Sequence, residues 1–553
     1  MIEDEPKIGK HVLALLTTGM YKEPRLIYRE YIQNSADQID LLPEEEKTNQ
    51  NRCRIVIDID REKARVTVKD FATGIKAREF KKRLLNVADS WKDPAKDKGF
   101  RGIGRLAGLA YCHKLIFETS AEGERIVSRM EMDGDEMRRI LRDRDDRCSA
   151  GELVRRIATV TQKEEDIPEY ECYFKVTLEG VIEAVGGSLL DVEGTRDLIG
   201  QIAPVAFSPT VFKKWKEKIE DFAEQLGHPL QTYSIQINGQ ALVKPYKTNI
   251  KGKEGEKTAQ IEDVVFRKIK DEKGKLIGWA WAAVPDQGRS IVESQNHERM
   301  MRLRKDNIQI GMHDFFQGSI PDGGAYFPEL RANGYMLGEV HIVDPEIRPN
   351  ADRNDLEVSE AASKFLKKLK ETLFMDLWNA AKEGNALSKA LENIEKYKEK
   401  LEQKSGMVGD KTIPFSGRKK IADELAEAYR KAKDGLYDLE KAKTKLPGPK
   451  PNADSAMDLL RFSKTRNLDD LKQFVKTPPK PDPQEADRVR EEPPEIDPPK
   501  TKPSGGKSSK PPVRPAGPVF ASRDDELLKI LTDSGLSLDS AIEALKKIKR
   551  LFS

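Results

Sequence analysis

Two periodicities divide the N-terminal part of the chain. Residues 8–40 place apolar side chains at helical spacing in two stretches, whereas residues 53–70 (CRIVIDIDREKARVTVKD) alternate apolar and polar positions on either side of a turn. The pattern predicts a pair of helices followed by a β-hairpin. Four later segments, Lys114–Thr119, Arg125–Met130, Glu152–Thr161 and Glu171–Leu178, read as strands, so the first domain is expected to be an antiparallel sheet with helices on one face. From about Asp191 the pattern changes to a helix, Val211–Leu226, then strands Tyr233–Ile237, Val264–Ile269 and Ile277–Val284, and a stretch rich in Gly and Arg that ends near Asn354. This predicts a second α+β domain. Residues 359–403 and 417–445 are rich in Lys, Glu, Ala and Leu, which favour a helical arm. Between Thr477 and Phe520 lie 13 of the 31 prolines, too many breakers and too few apolar groups to fold. Residues 522–553 regain helical periodicity, with Ser522 and Ser537 as caps. The expected domains are therefore 1–190, 191–357, a helical arm at 358–446, a Pro-rich, largely disordered linker at 447–521, and a two-helix module at 522–553.

Composition adds exclusions. A chain of 553 residues needs several cores. The formal charge of +3, from 97 basic and 94 acidic residues, gives no overall electrostatic case for nucleic acid or membrane. Cys53, Cys112, Cys148 and Cys172 form no C-x-x-C pair, and no run of apolar residues reaches membrane-spanning length. A reduced, cytoplasmic protein without a signal peptide is expected.

Three short segments carry candidate chemistry. On the helix Arg25–Ile39, Glu30, Asn34 and Asp37 fall within about 60° of one another while Tyr28, Ile32, Ala36 and Ile39 lie opposite. A carboxylate there can polarise water, and an amide one turn on can ligate Mg²⁺ without adding charge; the plain alternative is a solvated polar face. Asp70 closes a strand ahead of Phe71-Ala72-Thr73-Gly74, where a carboxylate can accept from an exocyclic amine; alone, this is an ordinary turn. Gly99, Gly102 and Gly104 form a G-x-x-G-x-G loop opening a helix near Arg105, a setting that favours phosphate. Gly102, Gly104 and Ala107, with Glu118 beyond, also fit a dinucleotide fingerprint. That reading needs a hydrophobic strand directly before the loop, and Ser90–Lys98 (SWKDPAKDK) is polar.

Taken together and in this order, the three segments resemble the GHKL (Bergerat) ATP-binding α/β sandwich. YREYIQNSADQID is similar to the first motif of the heat-shock protein 90 family, DFATGI to its adenine-binding motif, and GFRGIGRLAGL to its lid-side glycine motif. The resemblance implies Glu30 as general base with Arg29 as its regulating neighbour, Asn34 as Mg²⁺ ligand, and Asp70 on the adenine amino group. It places Gly74 beside the base and Gly102 and Gly104 on the phosphates, with Asp37 and Gly99 in the same nucleotide-binding set. Asn86 in LLNVADSWK matches a nucleotide-contacting Asn, and Lys92 a Lys near the phosphates. One departure is that Tyr173 and Phe174 stand where the family has a Gly-Thr pair, leaving Thr177 as the candidate for that threonine's adenine contact. Further on, MLGEVHIVDPEIRPNADRNDLE, preceded by MRLRKDNIQIG, resembles the middle or transducer domain segment that carries a catalytic arginine. Arg353 takes that place, Asn350 a supporting one, and Arg302, Arg304 and Lys305 are lesser candidates.

The resemblance spans residues 8–357 and implies an ATP- and Mg²⁺-dependent ATPase. It would act as a homodimeric, ATP-gated clamp on a protein client, chaperone-like in mechanism, with the C-terminal helices as a partner site. MORC-type ATPases are the next most similar, without their zinc-binding cysteines here. Their kind of nucleic-acid clamp, or an ATPase component of a microbial defence or DNA-maintenance system, is the alternative. The tail Lys500–Arg514 holds five basic residues and no acid, but without aromatic stacking residues it reads first as a solvated linker.

Overall fold

The computed structural model describes residues 8–17, 21, 23–86, 104–165, 168, 171–251, 258–285, 291–320, 324–446 and 455–476. All of them belong to one compact unit, Met1–Asp482. The expected linker beyond Thr477 and the C-terminal module lie outside the described residues.

The expected helix pair is α1 (His11–Thr17) and α2 (Leu26–Asp40), and the hairpin is β1 (Arg54–Asp60) with β2 (Arg65–Asp70). After α3 (Ala77–Leu85) and a 3-10 turn at Gly104–Ala110 come β3 (Cys112–Ser120), β4 (Ile126–Asp133), α4 (Gly134–Arg142), α5 (Ala150–Ile157), β5 (Ala158–Glu164) and β6 (Tyr173–Val181). Alternation decides what each strand buries. Ile55 and Ile57 of β1, Val66 and Val68 of β2, Leu115 and Phe117 of β3 and Val176 and Leu178 of β6 enter one core with Tyr28, Ile32, Ala36 and Ile39 of α2. The segment expected as a strand from Glu152 begins instead as α5. Ser149 and Glu152 form a reciprocal capping box, and Leu153, Val154 and Ile157 are buried on one helical face.

The chain continues through α6 (Glu183–Gly186), α7 (Val192–Ile202) and α8 (Lys213–Gln225) to β7 (Ser234–Ile237) and β8 (Gln240–Ala241). Here the boundary expected at 190/191 meets a contrary fact. Strand β7 joins the first sheet, parallel to β1 with Ile55 opposite Ile235 and Ile57 opposite Ile237. Its buried isoleucines complete the first core, and the Asn238 side chain ties the strand's end to both the N–H and C=O of Ile59, at 2.8 and 3.0 Å. Among the described residues the sheet thus has eight strands in the order β5-β4-β3-β6-β2-β1-β7-β8.

A two-stranded ribbon, β9 (Asn249–Ile250) with β10 (Ala259–Gln260), precedes a second sheet of β11 (Val265–Lys270), β12 (Leu276–Ala283), β13 (Met300–Lys305), β14 (Ile308–Ile310) and β15 (Leu337–Ile342), ordered β11-β12-β15-β13-β14. The arm follows as α9 (Glu360–Leu369), a π turn at Lys370–Phe374, α10 (Met375–Val408) and α11 (Phe415–Lys443). Helix α11 folds back on α10, with Lys404 paired to Glu424 at 2.6 Å. Residues 455–476, expected within the disordered linker, are folded as α12 (Ala456–Thr465), α13 (Leu468–Lys472) and a 3-10 turn. Leu459, Leu460, Leu468 and Val475 supply an apolar face that the prolines downstream obscure, and Arg461 pairs with Glu383 of α10 at 2.8 Å. The molecule is α+β, with two mixed sheets followed by a helical region.

Candidate active site

Helix α2 presents its polar side at the edge of the first core. Glu30 is mostly buried there, with Arg29 Nε 3.6 Å from its Oε1. The 3-10 turn that begins at Gly104 is pinned to α2 by Tyr31, whose hydroxyl accepts from Gly108 N–H at 3.1 Å. Gly104 consequently abuts the general-base candidate: a Cβ at this position would stand 2.4 Å from Glu30 Oε2. Tyr21, buried ahead of α2, turns its phenol toward the same carboxylate. Burial first, then the Glu30 charge, keeps that phenol protonated well above its ordinary range. Sequence reasoning did not select Tyr21, because nothing in a lone tyrosine before a helix signals contact with a glutamate.

Asp70 lies at the other end of the site, 1% exposed at the end of β2. Burial raises its carboxyl to about 7, against the opposing pull of the Ser35 hydroxyl, the Ala72 N–H and Lys69. A buried carboxylate with so few donors suits a ligand that brings an amine. Gly74 is demanded by the backbone: it holds φ +62°, and a Cβ would fall 2.0 Å from the Ser120 carbonyl oxygen. The turn is fixed from below by Thr119, whose hydroxyl accepts from Ile75 N–H at 3.0 Å and donates to the Tyr173 carbonyl at 2.6 Å. Register decides the fate of Thr177. It pairs with Thr67 and Ile116, whereas Asp70 pairs with Phe174; Thr177 therefore points to the opposite face of the sheet and does not supply the missing threonine contact. The threonine on the Asp70 side is Thr119, which no motif marked.

Of the remaining candidates, Asn34 is half-buried and Asp37 is buried, both on the Glu30 side of α2. Asn86 is exposed at the end of α3, where its carbonyl accepts from Arg105. Lys92, Gly99 and Gly102 lie outside the described residues. Among the described residues no group of three or more His, Cys, Asp or Glu side chains is arranged to hold a metal. Asn34 stands one turn after Glu30 and one turn before Asp37 on α2, an amide between carboxylates, a set whose chemistry fits a Mg²⁺ bound through one or two protein groups plus substrate phosphates.

The loop after the second sheet reaches the same helix. Strand β15 leads into a loop at 349–356 in which Asn350 Oδ1 accepts from Asp355 N–H at 3.2 Å and Arg353 N–H donates to the Asn350 carbonyl at 3.2 Å. This loop docks on α2: Arg29 Nη2 donates to the Asp352 carbonyl at 2.6 Å. Arg353 is 6% exposed and adopts φ +52°, a left-handed conformation that a non-glycine residue holds only where its surroundings impose it. Burial first, then the neighbouring Arg29 charge, pulls its guanidinium down to about 10, while Glu30, Asp306 and Asp37 act in the other direction. Arg302 and Arg304 are buried within β13 instead, and Lys305 donates to the Asp344 carbonyl at 2.8 Å.

Residues 29–141 match the family model described as histidine kinase-, DNA gyrase B-, and HSP90-like ATPase. The matched stretch holds Glu30, Asn34, Asp37, Asp70, Gly74 and Gly104, and supports a GHKL-type ATP-binding domain here. No curated protein matches the chain. No helix among the described residues is long and apolar enough to cross a membrane.

Proposed function

We propose that this chain binds ATP on the helix side of the eight-stranded sheet and hydrolyses it, with Glu30 as general base and Arg353 as the group that meets the γ-phosphate. The observation that carries this reading is the docking on α2 of the loop that holds the buried Arg353, where Arg29 beside Glu30 donates to the Asp352 carbonyl. Asp70 accepts from the adenine amino group, and Gly74 lets the base approach the turn. Asn34 would hold a Mg²⁺ together with the phosphates, and the ion would supply charge neutralisation at the transferring group. Glu30 takes the proton of the attacking water, and Arg353 offers a planar fork to the charge that builds on the phosphate oxygens. Asn350 and the Arg29–Asp352 contact hold the arginine loop in place.

In the same reading the ATP cycle works a homodimeric clamp on a protein client, as the likeness to the heat-shock protein 90 family implies. The experiment that tests the chemistry is calorimetric titration beside a steady-state assay. Glu30→Ala should bind ATP within a few-fold of the wild type and lose turnover by about 10²-fold or more. Wild-type turnover in Glu30→Ala would sink the mechanism. ATP-dependent cross-linking between two copies tests the clamp separately.

A further inference from the structure

Away from the nucleotide site, a cluster of buried charges ties the second sheet to α7 and to the segments flanking β7 and β8. Glu339, in the middle of β15, is fully buried and accepts from Lys244 Nζ at 2.8 and 3.0 Å, from Arg304 Nε, from Tyr246 Oη at 3.2 Å and from Trp281 Nε1 at 3.4 Å. His341 Nε2 lies 3.2 Å from its Oε2. The partners reach outward to the first part of the chain. Arg304 Nη2 donates to the Gln201 carbonyl in the last turn of α7 at 2.6 Å, and Lys244, just past β8, also donates to Asn307 Oδ1 at 2.8 Å. Asn307 Nδ2 in turn donates to the Gln231 carbonyl at 2.8 Å.

Asn307 stands at the tight turn between β13 and β14, with φ +58°. Strand β14 runs directly from that turn to Gly311, whose N–H donates to the Arg353 carbonyl at 2.7 Å. One end of this short strand is thus anchored through Asn307 to Gln231 and Lys244, and the other end holds the arginine. We infer that the cluster of Lys244, Arg304, Asn307 and Glu339 is a positioning device that sets Arg353 against Glu30; the inference rests on the catalytic role proposed for Arg353.

Chemistry favours this over mere cohesion. Two cations and a carboxylate taken out of water are a weak source of stability, and apolar side chains of the same volume would hold the sheets as well. What such a cluster supplies is direction, because each donor has one acceptor geometry that satisfies it. Burial, then the Arg304 charge, pulls Lys244 down to about 7, whereas Arg304 and Lys244 hold Glu339 well below the carboxylate range despite its burial.

The test is Asn307→Gly in the full chain, since glycine keeps the left-handed turn and removes only the two side-chain bonds. The expected result is kcat lowered at least about fivefold with ATP affinity unchanged, and no further loss when Asn307→Gly is added to Arg353→Ala, because both act through the arginine. Wild-type kcat in Asn307→Gly beside a slow Arg353→Ala overturns this inference alone, as do effects of the two substitutions that multiply. Wild-type kcat in Arg353→Ala overturns the proposed function and this inference with it. Should Asn307→Gly fail to fold, Tyr246→Phe, which removes one hydroxyl from Glu339, is read by the same cycle, with a smaller loss expected and the same outcomes decisive.

Discussion

Asp70 is a carboxylate on a strand face that is otherwise apolar, and its burial makes it a proton site whose effect has a definite sign. The folded protein holds the proton up to about 7, whereas the unfolded chain releases it near the ordinary 3.8. Its contribution to stability is therefore complete below about 3.8 and is lost as pH rises through about 7. Asp70→Asn removes that titration, so the nucleotide-free variant should show a flatter melting temperature against pH across this window than the wild type. The same variant should lose ATP binding, since an amide offers the adenine amine a weaker, neutral acceptor. Parallel pH curves for the two proteins would remove the buried, proton-binding carboxylate from the account. In the sequence, Asp70 was legible from its place at a strand end before a glycine; its burial was not, because burial depends on α2 and β6 closing over it. Tyr21 and Thr119 were not legible for the same reason, each meeting its partner only across the fold.

Elements were read best where one local pattern acted alone. Helix α2 and the β1–β2 hairpin lie where periodicity places them, because each buries one face on a single core. The misreading at Glu152 came from β-branched and apolar residues that serve helix and strand equally, and the capping box at Ser149 decided between them. In the arm, helical composition predicted α10 and α11 but not how closely they meet. Gly435 allows that approach: a Cβ there would lie 2.8 Å from the Ala390 carbonyl oxygen. Gly435→Leu should force the helices apart, lowering the melting temperature and exposing residues 375–443 to limited proteolysis while ATP affinity is retained. An unaltered digestion pattern would show that the close packing contributes little.

At the scale of the whole molecule, the proposed mechanism draws on a residue remote in sequence, whose loop meets α2 through the bond from Arg29 to the Asp352 carbonyl. Arg353→Ala should reduce kcat at least about tenfold with little change in nucleotide affinity, since the interaction strengthens as charge develops in the transition state. Arg353→Lys should recover only part of this, because a Lys keeps the charge and loses the two-pronged geometry. Full recovery by lysine would replace the bidentate contact with a simple electrostatic one, and wild-type turnover in the alanine variant would return Arg353 to a structural role. Because the proposed clamp is a homodimer, turnover is to be measured over a range of protein concentrations.

What the sequence determined by itself was local: the polar face of α2 that carries Glu30, Asn34 and Asp37, the strand-end aspartate, and the glycine at position 74, all set by neighbours a few positions away. The tertiary structure decided whatever depends on partners remote in the chain. It assigned β7 to the first sheet, turned Thr177 away from Asp70, folded residues 455–476 onto α10, and docked the Arg353 loop on α2. The physical reason is common to all four. Alternation and helical spacing say which face of a segment is apolar, but only the packed fold says which other segment covers that face.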